Sequence, residues 1–389
     1  MDSKKELQKK IIVTGGGSGG HISTASSIIS AINEKYLLTN NNFLYVGGDL
    51  GMEDEKPGMS LEKKIFSSES FNQKYIRAGK LQRKISFKSI YLLLRTFLAF
   101  FDSFKIVKEF RPDIVISTGG FVTVPVCIMA KLYKAEIYLH EQVAAIILSN
   151  KIISKIAKKI FLTFTVSSKY FPEEKTVHTG NLVRPEIFNK SGKGEIVEAL
   201  KVMMERQETL PIVYISGGSL GSHNINLTIQ QALPLILENF QIVLQTGDNK
   251  KFQDYNFLKK EREKLPDELK KRLLLTKYVD KEQIGFLLNN IDLFVGRAGA
   301  NTVYEMGVLM IPSIFIPIPW VPHNEQYENA KILKDLGLAE IISEGELTSE
   351  CLILKMKTFY KKEKVFSKKE VADAFPINAS ETIMENIGI

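Results

Sequence analysis

The sequence predicts an α/β protein built from two similar domains. Its 389 residues are enough for about two domains of ordinary size. Short apolar strands alternate with helical segments in both halves, a pattern that gives parallel sheets joined by helices. The strand, glycine loop and helix that begin at Gly15 recur 202 residues later at Gly217, and His21 recurs at the same interval as His223. We therefore expect two Rossmann-like domains whose glycine loops face a central cleft.

The composition is that of an ordinary globular protein with an excess of positive charge. Hydrophobic residues make up 44% and charged residues 25%, and the net charge of +8 favours a nucleic acid, an acidic lipid or a phosphorylated ligand. Cys127 and Cys351 lie in apolar segments, which predicts buried thiols rather than a disulfide or a zinc site. Neither a signal peptide nor a transmembrane helix is predicted, because the apolar runs are too short.

The first glycine loop follows a predicted buried strand and precedes a helix that extends to about Glu34. Gly15, Gly17 and Gly20 match the G-x-G-x-x-G dinucleotide pattern, and Asp49 at the end of the next strand is then a candidate for a ribose contact. His21 crowds the place where a pyrophosphate would lie, which argues against a dinucleotide. Its position beside the glycines favours a different functional role.

Polar residues follow the next two predicted strands. Thr118 to Phe121 form a second glycine turn, and the strand Glu136 to Leu139 delivers His140 and Glu141. Open α/β sheets bind their ligands at the carboxyl ends of strands. These two side chains are therefore either acid/base groups or residues that fix the loop.

The segment Lys80 to Lys108 is apolar over more than one helical face, with basic residues interleaved. These basic residues include Lys80, Arg83, Lys84, Lys88 and Arg95. One interpretation is a helix packed into the core, and the other is a surface that enters the bilayer interface with its cations on anionic headgroups. The two interpretations are compatible if one face of the helix packs in the core and the other face contacts lipid.

The most informative stretch of the second half is Arg297 to Asn329. A strand at 291–295 leads into a small-residue turn and a helix predicted to start near Asn301 or Thr302, with Glu305 in its first turn. Free backbone N–H groups and the helix dipole make such a helix start an anion site. The stretch predicts a site for a nucleotide diphosphate with an attached sugar. The alternative is an ordinary strand-to-helix connection.

Taken together, these motifs resemble the lipid I N-acetylglucosaminyltransferases of peptidoglycan synthesis, in glycosyltransferase family 28. The motifs in chain order are G-G-G-S-G-G-H at 15–21, G-G-F-V at 119–122, H-E-Q at 140–142, T-G-N-L-V-R at 179–184, G-G-S-L-G-S at 217–222, R-A-G-A-N-T-V-Y-E at 297–305, and Gln326 with Asn329 and Ala330. The resemblance runs nearly end to end and implies the two-domain GT-B fold. The expected domains are residues 1–185 and 186–364, with a tail from about 365 to 389 that packs back on the first.

The resemblance also implies a reaction and a location. The enzyme would move N-acetylglucosamine (GlcNAc) from UDP-GlcNAc, with inversion, to the C4 hydroxyl of the muramoyl sugar of lipid I, and release UDP. It would work as a peripheral protein on the cytoplasmic face of the plasma membrane, docked on anionic lipid through Lys80 to Lys108. Other cell-wall enzymes are possible partners, and no nucleic acid is expected.

Site residues carried over from the family fall on both halves of the chain. The implied catalytic residues are His21, as base or positioner of the acceptor hydroxyl, and Glu141. The implied UDP-GlcNAc contacts are Ser18, Gly19, Gly20, Val143, Arg184, Ser219, Val279, Ala300, Asn301, Thr302, Val303, Tyr304, Glu305 and Gln326. Among these, Glu305 binds ribose, Ser219 and Arg184 the diphosphate region, the Val279 backbone uracil, and Gln326 the sugar. No cofactor and no obligate metal are expected, although Mg²⁺ could travel with the substrate.

Departures from the family pattern concern the sugar more than the nucleotide. Val143 stands where asparagine is usual, and its side chain cannot hydrogen-bond. Val124 and Glu325 also differ from the usual glycine and glutamine. Three alternatives to the lipid I transferase function are a related enzyme that glycosylates diacylglycerol, a nucleotide-sugar epimerase and a dinucleotide-binding protein.

Overall fold

The computed structural model describes residues 4–49, 60–67, 69–78, 87–205, 210–362 and 365–389, without the side chains of 87–94 and 322. The chain forms two compact units. One comprises Met1–Leu182 with Pro376–Ile389, and the other comprises Val183–Phe375.

The first unit is built on a parallel sheet. Its strands are β1 (Lys5–Glu6), β2 (Ile11–Thr14), β3 (Tyr36–Leu37), β4 (Phe43–Gly48), β5 (Asn72–Ile76), β6 (Ile114–Ser117), β7 (Glu136–Glu141), β8 (Lys159–Leu162) and β9 (Thr176–His178). Within the described ranges, seven of them form one sheet in the order β5-β4-β2-β6-β7-β8-β9, and β1 pairs with β3. The order reverses between β2 and β6, where Ile12 pairs with Val115.

Helices connect these strands. They are α1 (Gly19–Lys35), α2 (Leu61–Phe66), α3 (Phe87–Phe110), α4 (Thr123–Leu132) and α5 (Leu148–Ile153). Short 3₁₀ helices cover Thr165–Tyr170 and Glu173–Lys175. The central strands consist of apolar residues buried on both faces, as the continuous apolar runs of the sequence predict.

The second unit repeats this plan. Its strands are β10 (Ile212–Ser216), β11 (Gln241–Gln245), β12 (Leu273–Thr276), β13 (Leu293–Gly296), β14 (Ser313–Phe315) and β15 (Ala339–Ile341). They form a parallel sheet in the order β12-β11-β10-β13-β14-β15, which reverses between β10 and β13. This is the doubly wound order of Rossmann-type sheets.

Helices of the second unit pack on both faces of its sheet. They are α6 (Glu195–Met204), α7 (His223–Leu237), α8 (Asp254–Glu263), α9 (Asp267–Lys270), α10 (Lys281–Leu288), α11 (Ala300–Val308), α12 (Glu325–Asp335), α13 (Ser349–Lys361) and α14 (Lys368–Ala374). Short 3₁₀ helices cover Pro185–Phe188, Pro322–Asn324 and Glu344–Glu346.

The C-terminal tail returns to the first unit as α15 (Ala379–Ile387). Its Ile383 and Ile387 are buried in the same apolar cluster as Ile28 and Ile32 of α1. Lys9 Nζ donates a hydrogen bond to the Ile387 carbonyl at 3.2 Å. The last fourteen residues therefore complete the core of the unit that begins the chain.

Two local predictions are wrong at element boundaries. α11 begins at Ala300, before the predicted Asn301 or Thr302, so Glu305 lies in the second turn rather than the first. β7 continues through Glu141, whereas the sequence predicted an end at Leu139. In both cases sheet and helix packing extends the element past the point where the apolar pattern stops.

α3 has one packed face and one exposed face. Ala99, Ser103 and Val107 lie one helical turn apart and are buried, whereas Phe97 and Phe101 are 68% and 51% exposed. The interpretation as a packed helix therefore describes one face of α3, the exposed face leaves contact with a bilayer as a prediction, and residues 80–86 lie outside the described ranges. Within those ranges, no helix combines the length and the apolar character that crossing a bilayer requires.

Candidate active site

Two glycine loops meet at the reversal point of the first sheet. Gly15 to Gly17 follow β2, Thr118 to Gly120 follow β6, and the Gly16 amide donates to the Gly119 carbonyl at 3.3 Å. A Cβ at Gly120 would lie only 2.0 Å from the Gly16 carbonyl oxygen, so this approach requires glycine. The predicted glycine turns thus form one joined structure.

His21 lies beside this pair of loops, in the first turn of α1. Thr118 Oγ1 donates to the His21 carbonyl at 2.8 Å, and a Cβ at Gly119 would lie 3.0 Å from the His21 Nδ1 atom. That nitrogen is buried and has no hydrogen-bond partner among the described atoms. Burial lowers the pKa of His21 to about 4, against a smaller opposite effect of the Thr118 backbone. Burial therefore keeps the imidazole neutral near pH 7 and also makes it a weaker base than a free histidine.

Glu141 is fully buried beneath the loops. Asn150 Nδ2 donates to its Oε2 at 3.0 Å, and the Val143 amide donates to its Oε1 at 3.4 Å. Asn150, which no motif indicated, also places its Oδ1 atom 3.0 Å from the position of a Cβ at Gly119, the same position that His21 Nδ1 approaches. His21 and Asn150, the hydrogen-bond partner of Glu141, thus border the same glycine.

His140 faces the same region from β7. Burial lowers its pKa to about 4; the Gly180 backbone raises it in part and the neighbouring His21 lowers it further. The His140 side chain is fully buried, so it lies in the interior behind His21 and is not exposed at the surface.

The remaining predicted groups of the first unit lie at the start of α1. Ser18, Gly19 and Gly20 are exposed, and the Ser18 side chain caps the helix by accepting from the His21 amide at 3.5 Å. The amides of this first helical turn have no partner within the helix, so they form a surface that a polar ligand can approach.

The structure gives specific reasons against the dinucleotide interpretation. The Gly17 amide, which a dinucleotide pyrophosphate would need, already donates to Glu62 Oε1 at 2.7 Å. Asp49, the candidate for a ribose contact, is paired with Arg95 at 2.5 Å. Arg95 is itself buried, so its assignment to membrane headgroups is also wrong.

In the second unit, Arg184 and Glu305 form a bidentate ion pair. Arg184 Nε and Nη2 donate to the two carboxylate oxygens of Glu305 at 2.6 and 2.8 Å. Burial lowers the pKa of Arg184, but the charge and hydrogen bonds of Glu305 more than reverse this, so the pKa is raised overall. The residues assigned separately to diphosphate and ribose therefore lie in direct contact.

α11 presents its N-terminus at the carboxyl end of β13. Asn329 Nδ2 donates to the Ala298 carbonyl at 3.2 Å and so fixes the turn that precedes the helix. Val303 and Tyr304 are fully buried, which leaves only their backbone to act on a ligand, whereas Asn301 and Thr302 are partly exposed. The first amides of a helix have no partner within the helix, so the start of α11 stays the predicted anion site.

The other predicted donor contacts are spread along the same edge. Ser219 is exposed in the loop after β10, and Val279 is partly exposed after β12. Gln326 Oε1 accepts from the Ile318 amide at 3.1 Å, so its amide nitrogen is the group directed to other partners.

Arg297 begins the most informative stretch of the sequence but is a structural residue. Its guanidinium is buried, donates to the Ile316 carbonyl at 2.9 Å and to Ser222 Oγ at 2.6 Å, and is paired with Glu344. These contacts tie the turn after β13 to the glycine loop after β10, through Ser222, and to the segments that follow β14 and β15, through Ile316 and Glu344.

Comparison with known proteins identifies the family. The model of the glycosyltransferase family 28 N-terminal domain matches residues 11–162, and that of the C-terminal domain matches residues 212–387. The chain is 34% identical over 349 residues, 88% of each protein, to the UDP-N-acetylglucosamine–N-acetylmuramyl-(pentapeptide) pyrophosphoryl-undecaprenol N-acetylglucosamine transferase of Bacillus pumilus. It is 30% identical over 360 residues, 92% of each protein, to the protein of the same name from Clostridium novyi.

A solved structure agrees with the predicted fold. The crystal structure of Acinetobacter baumannii MurG superimposes with a TM-score of 0.69 at 20% identity, covering 97% of this chain and 99% of that one. The prediction of the GT-B fold is thereby confirmed. The chain belongs to glycosyltransferase family 28, as the order of its motifs predicted.

Proposed function

We propose that this chain transfers GlcNAc from UDP-GlcNAc to lipid I, the undecaprenyl-pyrophosphoryl-linked muramoyl pentapeptide, and so forms lipid II for peptidoglycan. The names of the relatives at 30–34% identity support this reaction. The observation that carries the proposal is the contact between Arg184 and Glu305, which lies in the second turn of α11. It joins a cation suited to a diphosphate with a carboxylate suited to ribose hydroxyls.

The chemistry assigns different tasks to the two units. Neutral His21 takes the proton of the acceptor C4 hydroxyl, whose oxygen attacks the anomeric carbon of GlcNAc. The bond from that carbon to the UDP oxygen breaks with inversion. Arg184 and the N-terminus of α11 stabilise the negative charge that develops on UDP. Glu141, held by Asn150, is the second candidate for the base.

The donor contacts follow the family pattern. Glu305 would bind the ribose hydroxyls, the Val279 backbone uracil, Ser219 the phosphates and Gln326 the sugar. Val143 has a buried side chain and its amide bonds to Glu141, so it would contribute shape rather than a hydrogen bond to the sugar.

α3 supports the proposal that the enzyme docks on the cytoplasmic face of the plasma membrane. Phe97, Phe101 and Phe104, here called the aromatic stripe, are exposed on one side of the helix. Lys105 Nζ lies 4.4 Å from the Phe101 ring centroid, and Lys108 Nζ lies 5.8 Å from that of Phe104. Aromatic rings flanked by lysines suit the interface of an anionic bilayer.

The test is a product assay with the purified chain. UDP-GlcNAc is supplied with a lipid I analogue, with diacylglycerol, or without acceptor, and the product mass is measured. We expect the lipid I analogue to gain one GlcNAc residue. Transfer only to diacylglycerol would instead indicate a glycolipid synthase, and conversion of UDP-GlcNAc without acceptor would indicate an epimerase.

A further inference from the structure

Glu62 is a buried carboxylate that no motif indicated and that the proposed transfer does not use. It lies in α2, where the Ser60 side chain accepts from the Lys63 amide at 3.3 Å and so caps the helix. Only 1% of Glu62 is exposed. Burying a carboxylate costs several kcal/mol unless its oxygens are well hydrogen-bonded, so the groups it contacts indicate its role.

The first of these groups is the glycine loop after β2. The Gly17 amide donates to Glu62 Oε1 at 2.7 Å, and a Cβ at Gly16 would lie 2.2 Å from the same oxygen. Hydrogen bonds of N–H groups to carboxylates are among the stronger ones in proteins. Gly17 has a φ of +79°, a left-handed conformation, so the carboxylate holds the Gly16–Gly17 peptide in an orientation that few other residues adopt.

A packed aromatic cluster supports this contact. The Phe66 ring at the end of α2 lies 4.3 Å from the Tyr45 ring, centroid to centroid. The Tyr45 hydroxyl donates to the Gly15 carbonyl at 2.6 Å. Burial raises the pKa of Tyr75 to about 12, with a further contribution from the charge of Glu62. Gly15 and Gly17 are thus held by side chains from β4 and α2, which pack against each other.

The consequence reaches the candidate base. Ser18, the cap of α1, and His21 follow Gly17 within four residues, so the Gly16–Gly17 peptide sets the direction in which α1 begins. Building on the function proposed above, we propose that Glu62 is a positioning residue for the transfer reaction. Its carboxylate oxygen holds the Gly17 amide and thereby places Ser18 and His21 for the acceptor hydroxyl.

Three substitutions separate the reach of the side chain from its charge. Glu62→Gln keeps the length and an acceptor oxygen but removes the charge. Glu62→Asp keeps the charge but is one methylene shorter and no longer reaches the amide. Glu62→Ala removes both. We expect Glu62→Gln to keep kcat within about fivefold of wild type, and Glu62→Asp and Glu62→Ala to lose about 30- to 100-fold, because small misplacements of reacting groups cost about that much.

The affinity for UDP provides the internal control, because the residues assigned to uracil, to ribose and to the diphosphate, Val279, Glu305, Ser219 and Arg184, belong to the second unit. We expect the dissociation constant of UDP, measured by calorimetry, to change less than about twofold in all three variants. Phe71→Leu is the matched stability control. Phe71 packs on Phe66 at 5.9 Å between ring centroids, so this substitution should lower stability without removing the Glu62 contact. Its kcat should stay close to wild type at a comparable loss of melting temperature.

The outcomes are distinguishable. If wild type does not glycosylate the lipid I analogue, the proposed function fails. If wild type is active but Glu62→Asp matches it while Glu62→Gln does not, the charge matters rather than the reach, and the positioning role is overturned. Unchanged kcat in Glu62→Ala, or an equal loss in Phe71→Leu, overturns it as well.

Discussion

At the scale of single residues, Arg184 and Glu305, which are assigned to the diphosphate and to the ribose, form an ion pair with each other. The guanidinium is 43% exposed and the carboxylate 13% exposed. Because the guanidinium keeps access to solvent, a ligand phosphate can approach it and compete with the Glu305 carboxylate. Under the proposed function, the diphosphate of the donor would take over the guanidinium and the ribose hydroxyls would take over the carboxylate.

The first prediction concerns this pair. Arg184→Ala removes the proposed diphosphate contact but also frees Glu305 for ribose hydroxyls. We expect UDP to bind about tenfold or more weakly and uridine, which has no phosphate, to bind up to a few-fold more tightly. Glu305→Ala should weaken both ligands and sharply raise the KM for the donor. Isothermal titration with each ligand measures these effects.

Lys201→Ala is the control, because it removes the cation of another exposed ion pair, with Glu198, in the same unit. Its affinities should match wild type. Equal weakening of UDP and uridine in Arg184→Ala would show that Arg184 acts on the nucleoside instead, and an unchanged donor KM in Glu305→Ala would remove the ribose assignment.

The second prediction follows from the buried histidine behind the site. Burial lowers the pKa of His140 from 6.5 to about 4. Between these values the unfolded chain binds a proton that the folded chain does not, so stability decreases as pH falls through this window, by about 1.4 kcal/mol per pH unit. In His140→Gln the loss of melting temperature between about pH 7 and about pH 4.5 should be smaller than in wild type.

The exposed His323 provides the matched control. His323→Gln should keep the full pH dependence in scanning calorimetry. An identical pH slope in wild type and His140→Gln would mean that His140 is not held neutral by the fold.

At the scale of elements, α3 has a buried side and an exposed side, and the proposed membrane contact belongs to the exposed side. Buried side chains at a four-residue interval attach it to the first unit, and the aromatic stripe lies on another side. Packing alone does not explain an exposed side that carries aromatic rings with lysines over them. The lysines above the rings add the charge that an anionic surface attracts.

The third prediction tests this face. Phe97→Ser with Phe101→Ser removes apolar area that enters the bilayer interface, so binding to phosphatidylglycerol vesicles should weaken by about tenfold or more, since each buried aromatic ring contributes about 1.5–3 kcal/mol at most. Added salt should weaken wild-type binding further. Co-sedimentation with vesicles provides the measurement.

Leu235→Ser is the control, because Leu235 is similarly exposed on α7 of the second unit. It should leave vesicle binding unchanged. If the double variant binds vesicles like wild type, α3 is not the docking surface.

At the scale of the whole molecule, the chain closes its first unit with its last residues. Pro376–Ile389 belong to the unit that begins at the N-terminus, although the second unit lies between them in sequence. The stability of the first unit therefore depends on residues that lie beyond the second unit in sequence.

The fourth prediction uses this arrangement. Ile383→Ala deletes a buried side chain from the apolar cluster of the first unit and should cost about 2–5 kcal/mol, whereas Ile377→Ala at an exposed position should stay within about 0.5 kcal/mol. Calorimetry with and without UDP distinguishes the units, because a ligand raises the transition of the unit that binds it. Ile383→Ala should lower the other transition; a change confined to the UDP-sensitive transition would contradict the assignment.

Much of the fold was predictable from local patterns. Apolar runs such as Ile11 to Val13 and Ile212 to Ile215 specify buried strands because both faces of a parallel sheet are covered. The glycine loops at 15–20 and 217–221 follow these strands at a fixed interval, which revealed the repeated plan. Element ends were less predictable, as α11 and β7 show, since packing rather than residue type decides where they stop.

The sequence by itself determined the family, the two α/β units and the segments that carry the candidate site, because these depend on periodicity and on motifs at strand ends. Only the tertiary structure decided which charges meet. Arg184 and Glu305 lie 121 residues apart, Arg95 pairs with Asp49, and Glu62 bonds to the Gly17 amide. Side chains distant in sequence find partners through packing and burial, which local residue patterns do not encode.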